Sequence, residues 1–114
     1  MSPAPRALIL STNALEAQDL AEMLESFFGM TSAICRSIDA ALDVARANRT
    51  SLEVAFLGAS IQATDLSGLI GSLRDSQSTI VLIDAEPVSA QAQGLRSLLR
   101  PFSAEHVREA LENR

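Results

Sequence analysis

Tryptophan and tyrosine are absent from the 114 residues, and aromatic residues make up only 4%. Without those rings the chain has almost no stacking platform for single-stranded nucleic acid. A basic excess is missing too: the formal net charge is −5 and the pI is near 4.7. An acidic surface repels phosphate backbones and anionic bilayers, so nucleic acid and membrane surfaces are not expected partners of this segment. Cys35 is the only cysteine. That excludes an intrachain disulfide and a cysteine metal cluster, and fits a reducing, cytoplasmic setting. No apolar run is long enough to span a bilayer, and Met1-Ser2-Pro3-Ala4-Pro5 lacks the apolar stretch of a signal peptide. The serines and threonines have no His–acid pair to activate them. The one histidine, His106, has no metal-binding or catalytic partners around it in the sequence. Gly68 and Gly71 are not followed by the Lys-Ser/Thr of a phosphate loop.

The residues present read as one small globular domain. Apolar residues are 47% and charged residues 20%, a balance that supports a buried core without staples. Short apolar runs alternate with helical patterns. Ala7-Leu8-Ile9-Leu10 suits a strand covered on both faces. Asn13 then caps a helix in which Ala17, Leu20, Leu24 and Phe27 recur at helical spacing, and Gly29 stops it. Phe27, Phe28 and Phe102 are expected in the core, and Glu16, Asp19, Glu22 and Glu25 on a solvated face. A strand over 32–36 holds Cys35, expected buried. Ser37 caps a helix over 39–47, and a strand runs over 52–57. Leu66, Leu69, Ile70 and Leu73 mark a third helix, 79–83 a fourth strand, and 95–99 a fifth. Ser103 caps a final helix with Val107, Ala110 and Leu111 inward. The chain stops inside that helix at Arg114 without a stop signal. We therefore expect residues 1–114 to be a single domain excised from a longer regulator.

Strand and helix alternate five times, which predicts a parallel five-stranded sheet with helices on both faces. In such sheets ligands bind at the carboxyl ends of the strands. The order, the length and the ending Leu98-Leu99-Arg100-Pro101-Phe102-Ser103 resemble the CheY-like (flavodoxin-like) receiver domain of response regulators. That resemblance implies positions for a metal-binding acid pair, an acceptor aspartate, a switch hydroxyl and a lysine. They fall on Ser11 and Thr12, on Gly58, on Ile83 and on Arg100. Every functional side chain is replaced, and only Arg100 keeps its charge. No Mg²⁺, no other cofactor, no phosphorylation and no catalysis are expected here. Asp84 is the one acid left near a strand end, and reads as a turn former. Arg100-Pro101 reads as a structural turn, cis by resemblance. The stretch from Ile83 to Arg100 is short for a receiver, so the helix between strands four and five should be short or remodelled.

A narrower resemblance rests on Asn13-Ala14-Leu15-Glu16-Ala17-Gln18-Asp19-Leu20-Ala21-Glu22-Met23-Leu24 with Phe28-Gly29. It also rests on Cys35-Arg36-Ser37, on Phe56-Leu57-Gly58-Ala59-Ser60, and on Ile80-Val81-Leu82-Ile83-Asp84-Ala85-Glu86-Pro87. These segments resemble the FleQ-type degenerate receiver domain at the N-terminus of sigma-54-dependent flagellar transcriptional activators. The resemblance implies a homodimerising regulatory domain. It places DNA, ATP and cyclic di-GMP on other domains of the parent. Leu66, Leu69 and Ile70, or the last strand and helix, are candidates for the dimer face. The competing reading is a pseudo-receiver of a signalling kinase that binds a partner protein or a small ligand such as cyclic di-GMP, with Arg96 and Arg100 as candidate contacts. An enzyme would need clustered acids, bases or nucleophiles at the strand ends, and the sequence shows none.

Overall fold

A computed structural model describes residues 4–58, 63–83, 96–98 and 103–112. Among these residues five short segments, all but the last mainly apolar, form strands: β1 (Ala7–Leu10), β2 (Ser32–Cys35), β3 (Val54–Gly58), β4 (Thr79–Ile83) and β5 (Arg96–Leu98). Four helices connect or follow them: α1 (Ala14–Phe28), α2 (Ile38–Ala47), α3 (Ala63–Asp75) and α4 (Ala104–Glu112). The sheet order is β2-β1-β3-β4-β5, and every described pairing is parallel. This is the doubly wound parallel sheet that the alternation predicts, in the strand order of the CheY-like fold that the resemblance implies.

Side chains alternate between the two faces of each strand. Ala7, Ile9, Val54, Phe56, Val81 and Ile83 pack with Ala17, Leu20 and Leu24 of α1 and Val107 and Leu111 of α4. Leu8, Leu10, Cys35, Ala55, Leu57 and Leu82 pack with Ala41 and Ala45 of α2 and Leu69, Ile70 and Leu73 of α3. Among the described helices α1 and α4 cover one face and α2 and α3 the other, and β1 and β3 are buried throughout.

Local chemistry sets the helix ends. The Asn13 side chain accepts from the Glu16 N–H, and Ser37 from the Ala40 N–H. Each cap satisfies a donor that the first helical turn leaves open. Gly29 ends α1 at φ 63°, a left-handed conformation that glycine adopts without a Cβ clash. Its N–H donates to the Glu25 carbonyl at 3.0 Å.

Two expectations are corrected. Leu69 is fully buried and Ile70 is 9% exposed, both inside the α2–α3 core. The helical stripe proposed as a dimer face is the stripe that holds α3 on the sheet, so Leu69 and Ile70 are not a surface. The Leu66 side chain lies outside the described residues. Phe27 is not core either: it is 53% exposed, and the Arg108 guanidinium stands 5.8 Å from its ring centroid. In the last turn of α1 Phe28 takes the position against the core, and Phe27 beside it is left to a cation–π contact with α4. Phe28 is half-buried against the core. Phe102 and the segment between β4 and β5, with its expected short helix, lie outside the described residues.

Candidate functional site

Parallel pairing brings the carboxyl ends of the strands to one edge. The ladder sets Leu10 beside Leu57 and Gly58 beside Ile83. Ser11, one residue beyond Leu10, therefore continues the row Ser11, Gly58, Ile83 across the three central strands. A hydroxyl, a residue without a side chain and an aliphatic group occupy the place where this fold holds its ligands.

Ser11 is 2% exposed. Its N–H donates to the Cys35 carbonyl at 3.1 Å, which carries the β1–β2 ladder past the strand end. Its Oγ accepts from the Asn13 N–H at 3.1 Å. The same hydroxyl has two acceptors at 3.4 Å, the Asn13 carbonyl and Glu16 Oε1. Asn13 Oδ1 in turn accepts from the Glu16 N–H at 3.1 Å. Ser11, Asn13 and Glu16 thus close the β1–α1 turn as a local polar knot. A hydroxyl held this way is positioned to cap the turn and not to attack a substrate. Thr12 is exposed. Ile83 is fully buried in the α1–α4 core and packs as a hydrophobe. Gly58 is buried at the end of β3.

Sequence reasoning placed Glu16 on a solvated face, yet its carboxylate reaches back to Ser11. The Asn13-x-x-Glu16 spacing is a capping-box pattern and was the signal that could have found it. A second missed signal is that the chain contains no lysine at all. Arg100, Pro101 and Asp84 lie outside the described residues, as does the side chain of Arg96 at the start of β5.

Two further chemistry-bearing side chains, Cys35 and His106, can be placed among the described residues. Cys35 is 5% exposed on β2, and burial pushes its thiol pKa up, away from the reactive thiolate. At the start of α4 the Ser103 N–H donates to His106 Nδ1 at 3.1 Å, and the His106 N–H donates to Ser103 Oγ at 3.4 Å. The single histidine is exposed but serves a reciprocal helix cap. Among the described residues no group of three or more His, Cys, Asp or Glu side chains is placed to hold a metal ion. Among them also, no helix is long and apolar enough to cross a membrane.

The chain is similar to several solved structures. One is a crystal structure of a response regulator receiver domain protein from Clostridium thermocellum, with a TM-score of 0.77 and 16% identity over 94% of this chain and 90% of that one. A second is the BeF3-activated conformation of SdrG from Pseudomonas melonis Fr1, with a TM-score of 0.70 and 21% identity over 98% and 97%. A third comes from the Saccharomyces cerevisiae co-crystal structure of the histidine phosphotransfer signaling protein Ypd1 with the receiver domain of its downstream response regulator Ssk1. Its TM-score is 0.65, with 17% identity over 95% and 88%. Identities this low establish the receiver fold. No family model matches the chain, and no curated protein matches it.

A receiver fold implies Mg²⁺ at the strand ends, and the described residues do not fit that ion. Mg²⁺ asks for carboxylate oxygens in near-octahedral array. Ser11, Gly58 and Ile83 supply no carboxylate, and Glu16 sits in the capping knot of the β1–α1 turn.

Proposed function

We propose that this chain is a non-phosphorylatable, receiver-like regulatory domain that works through binding, not catalysis. In this reading Ser11 and Thr12 stand where an active receiver has its acid pair. Gly58 stands for the acceptor aspartate, Ile83 for the switch hydroxyl and Arg100 for the lysine. The observation that carries the reading is the row of Ser11, Gly58 and Ile83 across the central strands. A glycine has no carboxylate to phosphorylate, and a buried isoleucine has no hydroxyl to follow a phosphoryl group.

The domain then acts by self-association, setting the assembly of a longer cytoplasmic protein. The FleQ-like segments favour a sigma-54-dependent flagellar transcriptional activator as that protein. DNA, ATP and cyclic di-GMP would bind its other domains. The burial of Leu69 and Ile70 moves the search for the dimer face away from α3.

Two measurements test this. Beryllofluoride with Mg²⁺ should leave the amide spectrum of the chain unchanged, and acetyl phosphate with Mg²⁺ should give no acyl-phosphate adduct by mass. A stable adduct would overturn the reading. Sedimentation equilibrium without ligand should show a dimer in the micromolar range, and a strict monomer would remove the self-association role.

A further inference from the structure

β2 ends the sheet order, so one side of its backbone pairs with β1 and no described strand pairs with the other. The ladder shows which groups face outward. The Thr31 carbonyl accepts from the Arg6 and Ala7 N–H groups, and the Cys35 carbonyl accepts from the Ser11 N–H. Backbone polar groups alternate sides along a strand. Thr31, Ala33 and Cys35 therefore turn toward β1, while Ser32 and Ile34 turn both their N–H and C=O groups outward. Natural sheet edges are usually blunted by charge, proline, a bulge or a covering segment. Ser32-Ala33-Ile34-Cys35 carries no charge and no proline, and Ile34 is 48% exposed.

We propose that this edge pairs with β2 of a second copy, antiparallel, about a two-fold axis at Ala33. The proposal rests on the self-association reading above and names its surface. The spacing is self-complementary. With the two Ala33 residues opposite each other, Ser32 of one copy faces Ile34 of the other. Those are the residues whose backbone groups point outward, so each pair exchanges two N–H···O=C bonds and the axis makes four. Ala33 falls at the non-hydrogen-bonded position between them, as it must with its own groups turned to β1. The contact closes on itself, as a two-fold interface does, and joins the two sheets into one. The small side chains at Ser32 and Ala33 leave room on both faces, and the exposed Ile34 gains cover.

The test is sedimentation equilibrium of the whole chain with two substitutions at one position. Ile34→Lys leaves the backbone intact and places a charge on the edge. Ile34→Pro removes a donor that faces outward, so it costs no bond to β1. Each should weaken dimerisation about tenfold or more while circular dichroism stays that of the parent. An independent reading comes from Ala33→Cys in a Cys35→Ala background. A non-hydrogen-bonded antiparallel pair holds its Cα atoms about 4.5 Å apart, within disulfide reach. Oxidised glutathione, reduced as the two thiols join, should yield a cross-linked dimer. A wild-type dimer unmoved by both substitutions and giving no cross-link would overturn the β2 edge and leave self-association standing. A wild-type monomer throughout the micromolar range would overturn both.

Discussion

The two ends of the sheet are built differently. At the amino end, polar contacts tie segments that are far apart in sequence. Arg6 pairs with Glu53, whose N–H also donates to the Arg6 carbonyl at 2.8 Å. Ser51 Oγ donates to the Pro5 carbonyl and Ser78 Oγ to the Leu52 carbonyl, each at 3.0 Å. At the carboxyl end the described polar contacts of Ser11 run chiefly to Asn13 and Glu16, its near neighbours in sequence. A doubly wound fold places its chemistry at the carboxyl end. Here long-range polar bonding sits at the opposite pole, where it fixes strand register. The described side-chain bonds of the carboxyl end close the β1–α1 turn, and one backbone bond extends the β1–β2 ladder there. That contrast is what the proposed reading expects of a scaffold that keeps the fold and not the site.

The largest effect should come from breaking what both ends share. Phe56 lies in the central strand β3 and is fully buried. Phe56→Ala should cost about 3–5 kcal/mol in urea unfolding, because the transfer loss adds to the cavity left behind. The amino-end bonds and the β1–α1 turn should then be lost in a single transition. Two transitions would show that the ends are not one cooperative unit.

The next effects separate the ends. Asn13→Ala removes the α1 cap and should cost about 1 kcal/mol. Ser78→Ala removes one bond between the α3–β4 turn and the segment before β3, and should cost about 1 kcal/mol as well. Equal cost with different consequence is the useful outcome. Hydrogen exchange should quicken locally in the first turn of α1 for Asn13→Ala, and along β3 and β4 for Ser78→Ala. If Asn13→Ala also loosened β3, the turn would be coupled to the strand ends, and the picture of a purely local knot would fail. The Arg6–Glu53 pair is a smaller matter. Both side chains are partly exposed, so Glu53→Gln should cost well under about 1 kcal/mol, and less again at high salt.

Those ends also differ in how far the sequence announced them. Asn13, Gly29, Ser37 and Ser103 could be read as helix boundaries because caps act over three or four residues. The parallel order followed from alternation, whereas the assignment of Ser11, Thr12 and Gly58 to receiver positions rests on the resemblance. Arg6–Glu53 left no local signal, because its partners lie 47 residues apart and meet only once β1 and β3 pair. Leu69 and Ile70 form an apolar helical stripe, which can face either the sheet or a second copy. Geometry permits one of these, and burial chose the core. Phe27 shows the converse: periodicity marked it as core, but its neighbour Phe28 takes the place against the core and Phe27 stays exposed.

Cys35 gives a pH-dependent test of burial near the carboxyl end. Its thiol pKa is raised in the folded chain by desolvation, so the folded state holds the proton more tightly than the unfolded one. The sign follows by linkage. Stability from this group is fully present below the ordinary thiol range and is lost as pH rises above about 8.5. Cys35→Ala should flatten that alkaline decline, measured as urea midpoint against pH. A thiol reagent at neutral pH should label Cys35 only as fast as the chain opens.

One small expected effect is a gain, and it lies at the well-tied end. α3 ends as the Gln77 N–H donates to the Arg74 carbonyl at 3.0 Å and the Ser78 N–H to the Leu73 carbonyl at 3.1 Å. That is the Schellman pattern, and its left-handed residue is Gln77 at φ 60°. α1 solves the same problem with Gly29 at φ 63°. A side chain with a Cβ pays about 1–2 kcal/mol to hold that conformation, and glycine does not. Glycine also frees the unfolded chain, which returns part of the gain. Gln77→Gly should therefore stabilise the domain by roughly 0.5–1 kcal/mol. A loss instead would mean that the Gln77 side chain makes a contact worth more than its strain. The amino end would then be held by side chains even at its turns.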